Sequence, residues 1–453
     1  MIGHTKWVLV LSVAVFVFVV ALEVGRWLDR IDAPSQRIAG ATLAACAVFL
    51  VSWTELHHLW YGNFQIIDTA IYERYGDAVA SAQVPYRDFD LEYPPGSIAA
   101  FAAPELTAQR GEFGTYGHAF EKWAGAWGVA MVVLVGVALL ALRLPFVEAA
   151  GGLALVAVSP LLLGNVVLSR FDLLPAALAT GAVAALLHRR DRLAAVVLAA
   201  AICVKLYPAV LVPIAVAWIW RRRGRDDALR WLGLVAAICA AVFIPFAILS
   251  PGGLAHSFGT QLGRPLQLES LGSALLIAAH HVANVHLVMA SSHGSQNLEN
   301  GAANALGIVS SVLQVAAIAW ICFAFARGPA TRDRLVVACA GAIAAFVAFG
   351  KVFSLQYMVW LVPAVALVRA AWPRLLLIAG LVLTQLWFPR HYWSLALEFR
   401  ARESWLLLAR DLVVVALVVV LGRELLQDER LREDSPVREP VEPVRGQVEL
   451  GSS

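Results

Sequence analysis

The chain has 453 residues, 60% hydrophobic and 15% charged, with a formal net charge of +3 and a mean hydropathy of +0.73. Many apolar runs approach the roughly 20 residues that a helix needs to span a bilayer, so the chain reads as a polytopic membrane protein, and so small and scattered a charge excludes nucleic acid as a partner. Five cysteines, Cys46, Cys203, Cys239, Cys322 and Cys339, lie inside apolar runs without metal-ligand or Cys-x-x-Cys spacing, which implies core packing and neither disulfide nor zinc.

In chain order the apolar runs fall at about 7–24, 38–55, 123–142, 148–168, 173–188, 193–204, 206–220, 229–250, 303–326, 335–350, 357–370, 375–388 and 405–421, which predicts an all-α fold of about 12–13 transmembrane helices. Lys6 precedes the first run and Arg26, Arg30 and Arg37 follow it, favouring an outward N-terminus rather than a cleaved signal peptide. Basic clusters then mark the cytoplasmic side: Arg189, Arg190 and Arg192; Arg221, Arg222, Arg223 and Arg225; Arg327, Arg332 and Arg334; Arg369 and Arg374; and the tail after Arg423. This arithmetic leaves 54–122 as a long first extracytoplasmic loop with juxtamembrane helices. A second extracytoplasmic segment covers 251–302, and the turns at 169–172 and 350–356 and the loop 389–404 join that face. Residues 1–422 form one membrane domain, and 423–453, charged and proline-bearing, read as a disordered cytoplasmic tail. Pro208, Pro213 and Pro363 interrupt three runs, as happens where a helix borders a cavity or merely kinks.

Charge is thus concentrated on one face, in Asp68–Glu92, Ser169–Asp172, Lys205–Pro208, Arg264–Ser270 and Lys351–Tyr357, and ionisable groups beside the bilayer are site candidates because burying them is costly. Asp68 follows Trp53, Trp60, Tyr61 and Phe64, a boundary position where desolvation would raise its pKa and suit a general base; the competing use is as N-cap of a helix starting at Thr69. Lys205 has no acidic neighbour in sequence and calls for an anionic partner, such as a lipid phosphate, unless it snorkels. Arg170 and Lys351 carry the same two readings. Arg87, Asp88, Asp90 and Glu92 form either part of a site or a solvated loop. No phosphate loop, nucleophile elbow or His-Glu-x-x-His spacing occurs; no cofactor or metal is expected, although Asp68, Asp88 and Asp90 are the carboxylates best able to hold an ion.

Five ordered motifs then resemble glycosyltransferase family 87 over about 50–370. They are Asp68-x-x-x-Tyr72 with Val84-Pro85-Tyr86-Arg87-Asp88-Phe89 and Glu92-Tyr93-Pro94-Pro95; Lys205-x-Tyr207-Pro208; Arg264-Pro265-Leu266-Gln267-x-Glu269-Ser270; and Lys351-x-x-Ser354-x-Gln356-Tyr357. That family holds GT-C type enzymes, among them polyprenyl-phosphomannose-dependent mannosyltransferases of actinobacterial glycolipid synthesis. The resemblance implies an inverting transferase of the plasma membrane. It would move a sugar, mannose first, from a polyprenyl-phosphate donor to a hydroxyl of a glycolipid or glycan on the extracytoplasmic face, with Asp68 as base. Arg264, Lys205, Lys351 and Arg170 are then candidates for the donor phosphate, and Tyr72, Arg87, Asp88, Glu92, Tyr93, Tyr207, Glu269, Gln356 and Tyr357 for sugar or acceptor contacts and support. The alternative from another class is a transporter or flippase of lipid-linked sugars, which would more often show paired half-helices and comparable charge toward both faces.

Overall fold

The computed structural model describes residues 33–58, 66–108 and 114–433. The expected span at 7–24, the basic residues Lys6, Arg26 and Arg30, the aromatics Trp60, Tyr61 and Phe64, and the tail beyond 433 lie outside them.

All twelve runs expected between 38 and 421 are helical. The helices are α1 (Ala33–Glu55), α2 (Thr69–Ala80), α3 (Ile98–Glu105), α4 (Thr115–Leu142), α5 (Phe146–Leu163), α6 (Leu173–Leu187), α7 (Asp191–Val204), α8 (Val212–Arg223), α9 (Arg225–Leu249), α10 (Pro251–Leu262), α11 (Leu271–Ala283), α12 (Gly301–Arg327), α13 (Arg332–Phe349), α14 (Met358–Ala366), α15 (Ala371–Gln385), α16 (Tyr392–Glu398) and α17 (Ala401–Glu433). Among the described residues six helices are long and apolar enough to cross a membrane by themselves: α1, α4, α5 with its 3-10 extension to Val167, α9, α12 and α17. The remaining runs are shorter. The 15 residues of α6 and the 14 of α7 rise only about 22 Å, against about 42 Å for the 28 of α4. Helix α17 also carries the chain past 423, where a disordered tail is expected, to Glu433. Several short elements have no counterpart in the apolar runs, among them α2, α3, α10 and α16 on the site side. Helix α11 is an apolar piece within 251–302, and β1 (Leu266–Gln267), β2 (Met289–Ser292) and β3 (Ser295–Leu298) make a small antiparallel sheet in the order β1-β3-β2.

The arginine clusters meet at one end of the bundle, where they donate to main-chain carbonyls in and beside the helices there. Arg221 donates to the carbonyls of Ala326 (2.6 Å) and Gly328 (2.5 Å), and Arg332 to Ala141 (2.7 Å). Arg334 donates to Ala324 (2.8 Å) and to Leu425, and Arg374 to Glu148 (2.7 Å) and Val368 (2.6 Å). Arg223 pairs with Asp191 at 2.8 Å. These contacts join the ends of α4, α5, α7, α8, α12, α13, α15 and α17, as the alternation of helix directions requires. The opposite end collects α2, α3, α10, α11, α16, the sheet and the charged motifs. There the loop 84–96 is laid onto α10: Ser250 donates to the Tyr86 carbonyl (2.9 Å) and Ser257 to that of Leu91 (2.7 Å). Two glycines permit the close approach, since a Cβ on Gly253 would sit 1.9 Å from the Tyr86 oxygen and one on Gly96 would sit 2.6 Å from the Cys203 oxygen.

Candidate active site

Asp68 occupies the N-cap position of α2, yet its side chain makes no cap hydrogen bond. It turns instead to Arg170, whose Nη1 lies 2.6 Å from Asp68 Oδ2. An aromatic cluster fixes this pairing: Tyr72 on α2 stacks on Phe101 of α3 at 4.8 Å, and Phe171 meets Phe101 edge-on at 5.2 Å and Tyr93 at 4.9 Å, so the residue beside Arg170 is anchored in the same packing as α2. Arg170 Nε donates to Gln356 Oε1 at 2.9 Å, and Ser354 Oγ donates to the same oxygen at 2.9 Å. Burial pushes the Asp68 carboxyl above the ordinary carboxylate range, and the Arg170 guanidinium pulls against it. About a quarter of its side chain (26%) stays open, so a reactant can reach it.

One turn further along, Asp172 takes Lys205 Nζ at 2.6 Å and Trp360 Nε1 at 2.7 Å on the same oxygen. The ammonium is caged by Phe171 (4.6 Å), Trp360 (5.2 Å), Tyr357 (5.8 Å) and Tyr93 (5.9 Å). Trp360 is itself sandwiched between Tyr207 at 3.9 Å and Tyr357 at 4.1 Å. The anionic partner that Lys205 calls for is therefore inside the protein, 33 residues back in the chain, and Arg170 is likewise committed to Asp68. Each of these two cations is thus paired with a carboxylate inside the protein.

Arg264 and Lys351 differ. Among the described residues neither forms an ion pair with a carboxylate; Arg264 Nη2 donates to Ser295 Oγ (2.9 Å) on β3 and Lys351 Nζ to the Leu262 carbonyl (2.8 Å). The Gln267 amide donates to the Lys351 carbonyl at 2.9 Å, tying their two loops together. Both line a groove of about 800 Å³ that runs along α12 past Gly307, Ile308 and Val312. The groove face is mostly apolar, and α12 is one of the least buried of the long helices. Glu92 is exposed beside the tip of the β2–β3 hairpin, where a Cβ on Gly294 would lie 3.8 Å from its Oε1, and the charges of Arg264, Asp68 and Arg74 all act on it. Glu269 is buried near Arg264, Tyr392 and Arg410; burial pushes it up to about 7.

The remaining candidates disperse. Tyr72 is fully buried core, and Tyr207, Tyr357 and Gln356 support the two ion pairs. Arg87 and Asp88 are exposed and pair with each other at 2.9 Å, with Asp88 also taking the Val84 amide, so they stabilise their own turn rather than join the site. Asp90 is exposed too. No cluster able to hold a metal ion occurs among the described residues. Sequence reasoning passed over Trp360 and gave no separate role to Asp172 or Ser354, though both stood in motifs it singled out, and it read 405–421 as a plain span although Arg410-Asp411 interrupts it.

Residues 91–350 match the family model of glycosyltransferase family 87. The chain belongs to this family. The matched region carries Arg170, Asp172, Lys205 and Arg264, while Asp68 precedes it. This member is a multi-pass membrane protein built from helices, and family membership makes it a glycosyltransferase. No curated protein matches it. Among solved structures, the crystal structure of ArnT from Cupriavidus metallidurans bound to undecaprenyl phosphate is similar, with 16% identity, a TM-score of 0.45 and coverage of 86% of this chain and 77% of that one.

Proposed function

We propose that this transferase is a GT-C type inverting enzyme that moves a sugar, mannose first, from a polyprenyl phosphate to a hydroxyl of a glycolipid or glycan, at the extracytoplasmic face of the plasma membrane. The observation that carries the reading is the groove on α12: mostly apolar, with Arg264 and Lys351 in its lining, neither paired with a carboxylate among the described residues. Ala303 to Ala316 extends for about 20 Å of helix, enough for several isoprene units, and the phosphate would rest on Arg264 and Lys351. Asp68 accepts the proton as the acceptor oxygen bonds to C1 of the sugar from the side opposite the phosphate. The C1–O bond breaks with its electron pair on the phosphate oxygen, whose charge Arg264 and Lys351 neutralise. A phosphate ester is already a weak base, so no general acid is required. Arg170, itself held by Gln356, fixes the Asp68 carboxylate in its orientation, and Glu92, within reach of the charges of Asp68 and Arg264, accepts hydrogen bonds from sugar hydroxyls.

The test is to incubate the purified protein with radiolabelled polyprenyl-phosphate sugars and a membrane-lipid extract and to identify the labelled product. Arg264→Gln and Lys351→Gln should each raise the KM for the donor, with acceptor KM unchanged. Transport of the sugar lipid across vesicles without any glycosylated product would reject the transferase reading in favour of a flippase.

A further inference from the structure

Helix α17 buries an arginine and an aspartate side by side, about 14 Å from its site end: Arg410 is 0% and Asp411 1% exposed. A buried ion pair is not in general worth more to folding than an apolar pair of the same volume, so charge placed there points to a task. The contacts show what Arg410 touches. Its Nη2 donates to the Glu269 carbonyl at 2.7 Å, and its guanidinium carbon lies 3.9 Å over the Phe353 ring. Its Nε stands 2.8 Å from Asp411 Oδ1, which supplies the counter-charge within the same helix. Glu269 closes the loop that begins at Arg264, and Phe353 is two residues past Lys351. Arg410 therefore grips both loops that present the unpaired cations, one by hydrogen bond and one by stacking. Only a planar, delocalised cation does both at once; a lysine ammonium cannot stack flat on a ring and still present a directed donor fork.

We propose that Arg410 is a positioning residue that sets the spacing between Arg264 and Lys351, and so the fit of the donor phosphate; this rests on the reading of those two cations given above. Arg410 Nη1, Asp411 Oδ2 and Glu269 Oε2 have no hydrogen-bond partner among the described residues. The Gln267–Lys351 main-chain link ties the two loops at one point, and Arg410 adds a second tie through the Glu269 carbonyl and the Phe353 ring.

The experiment compares Arg410→Lys, Phe353→Leu and Arg264→Gln in the purified full-length protein, measuring KM for donor and acceptor separately, affinity for free polyprenyl phosphate, and the unfolding temperature. Arg410→Lys keeps the charge and loses the fork and the stack, whereas Phe353→Leu loses the stack alone. Both should fold, raise donor KM about tenfold or more for the first and severalfold for the second, and leave acceptor KM within about twofold. If Arg264→Gln weakens donor binding while both other variants bind donor as wild type does, the positioning role is overturned and the phosphate site stands. If Arg264→Gln also binds donor normally, the phosphate reading itself falls. Equal losses toward donor and acceptor, or unfolding of both Arg410→Lys and Phe353→Leu, would reduce Arg410 to a structural brace and overturn the proposal.

Discussion

The two carboxylates that share one stretch of the site are handled differently by their surroundings. Asp172 is fully buried and held by two donors on one oxygen, whereas Asp68 keeps an open edge and a single guanidinium partner. That contrast supports the proposal of Asp68, and not Asp172, as the base. Asp68→Asn should lower kcat by about a hundredfold or more while the donor still binds, because shape is retained and basicity lost. Since burial raises its pKa, the acid limb of kcat/KM for the wild type should lie above the usual carboxylate range near 4; a limb at or below 4 would show that the ionisation belongs to another group. Glu269 gives a second, independent titration. Its carboxyl ionises at about 4.5 when unfolded and about 7 in the fold, so the native state holds the proton longer, and stability contributed by this group falls as pH rises through that window. Glu269→Gln should flatten the decline of unfolding temperature between those pH values, and an unchanged slope would contradict it. The sequence made Asp68 legible, because a carboxylate after an aromatic stretch beside the bilayer is unusual. It could not supply Arg170 as its partner, nor Asp172 for Lys205, because both pairings join helix ends that only packing brings together.

At the scale of elements, the long apolar runs were readable because a span needs a length and a composition and little else. The helix from Thr69 was readable too, but the short elements of 251–302 escaped. The β2–β3 hairpin is polar and turns at His293-Gly294, both with positive φ, so its signal was lost in a segment already assigned to a loop. Helix α11 was missed for the opposite reason: at 13 residues it is too short for a span, and its apolar side packs on α17 rather than on lipid. The groove along α12 belongs to this scale as well. A Cβ placed on Gly307 meets nothing within 4 Å, so Gly307→Leu should fold normally and fill the groove. Donor KM should rise severalfold, more for long-chain than for short-chain polyprenyl phosphates, with acceptor KM unchanged; equal effects on both donors would move the lipid elsewhere.

Over the whole molecule the charges sort to two ends, one rich in arginines that donate to main-chain carbonyls and one holding the site. If the arginine end faces the cytoplasm, a single cysteine at exposed Ser81 in a cysteine-free background should react with a membrane-impermeant thiol reagent in intact cells, and one at exposed Asp226 only after permeabilisation. The reverse pattern would place the site inside and remove the lipid-linked donor from its proposed face.

The shortness of α6 and α7 has a bearing on the bilayer itself. Helices that rise about 22 Å are shorter than the roughly 30 Å hydrocarbon layer, while α4 beside them is longer than it needs to be. Helix α6 is enclosed by protein, but α7 exposes Leu193 and Val196, and lipid that meets this short helix is expected to thin there, a hydrophobic mismatch whose elastic cost grows with acyl-chain length. A donor headgroup would be drawn down toward Asp68 by the membrane's own shape. Reconstituted into phosphatidylcholines of increasing chain length, the enzyme should then lose kcat/KM for the donor as the bilayer thickens, which makes lipid thickness a regulator of catalysis in its own right.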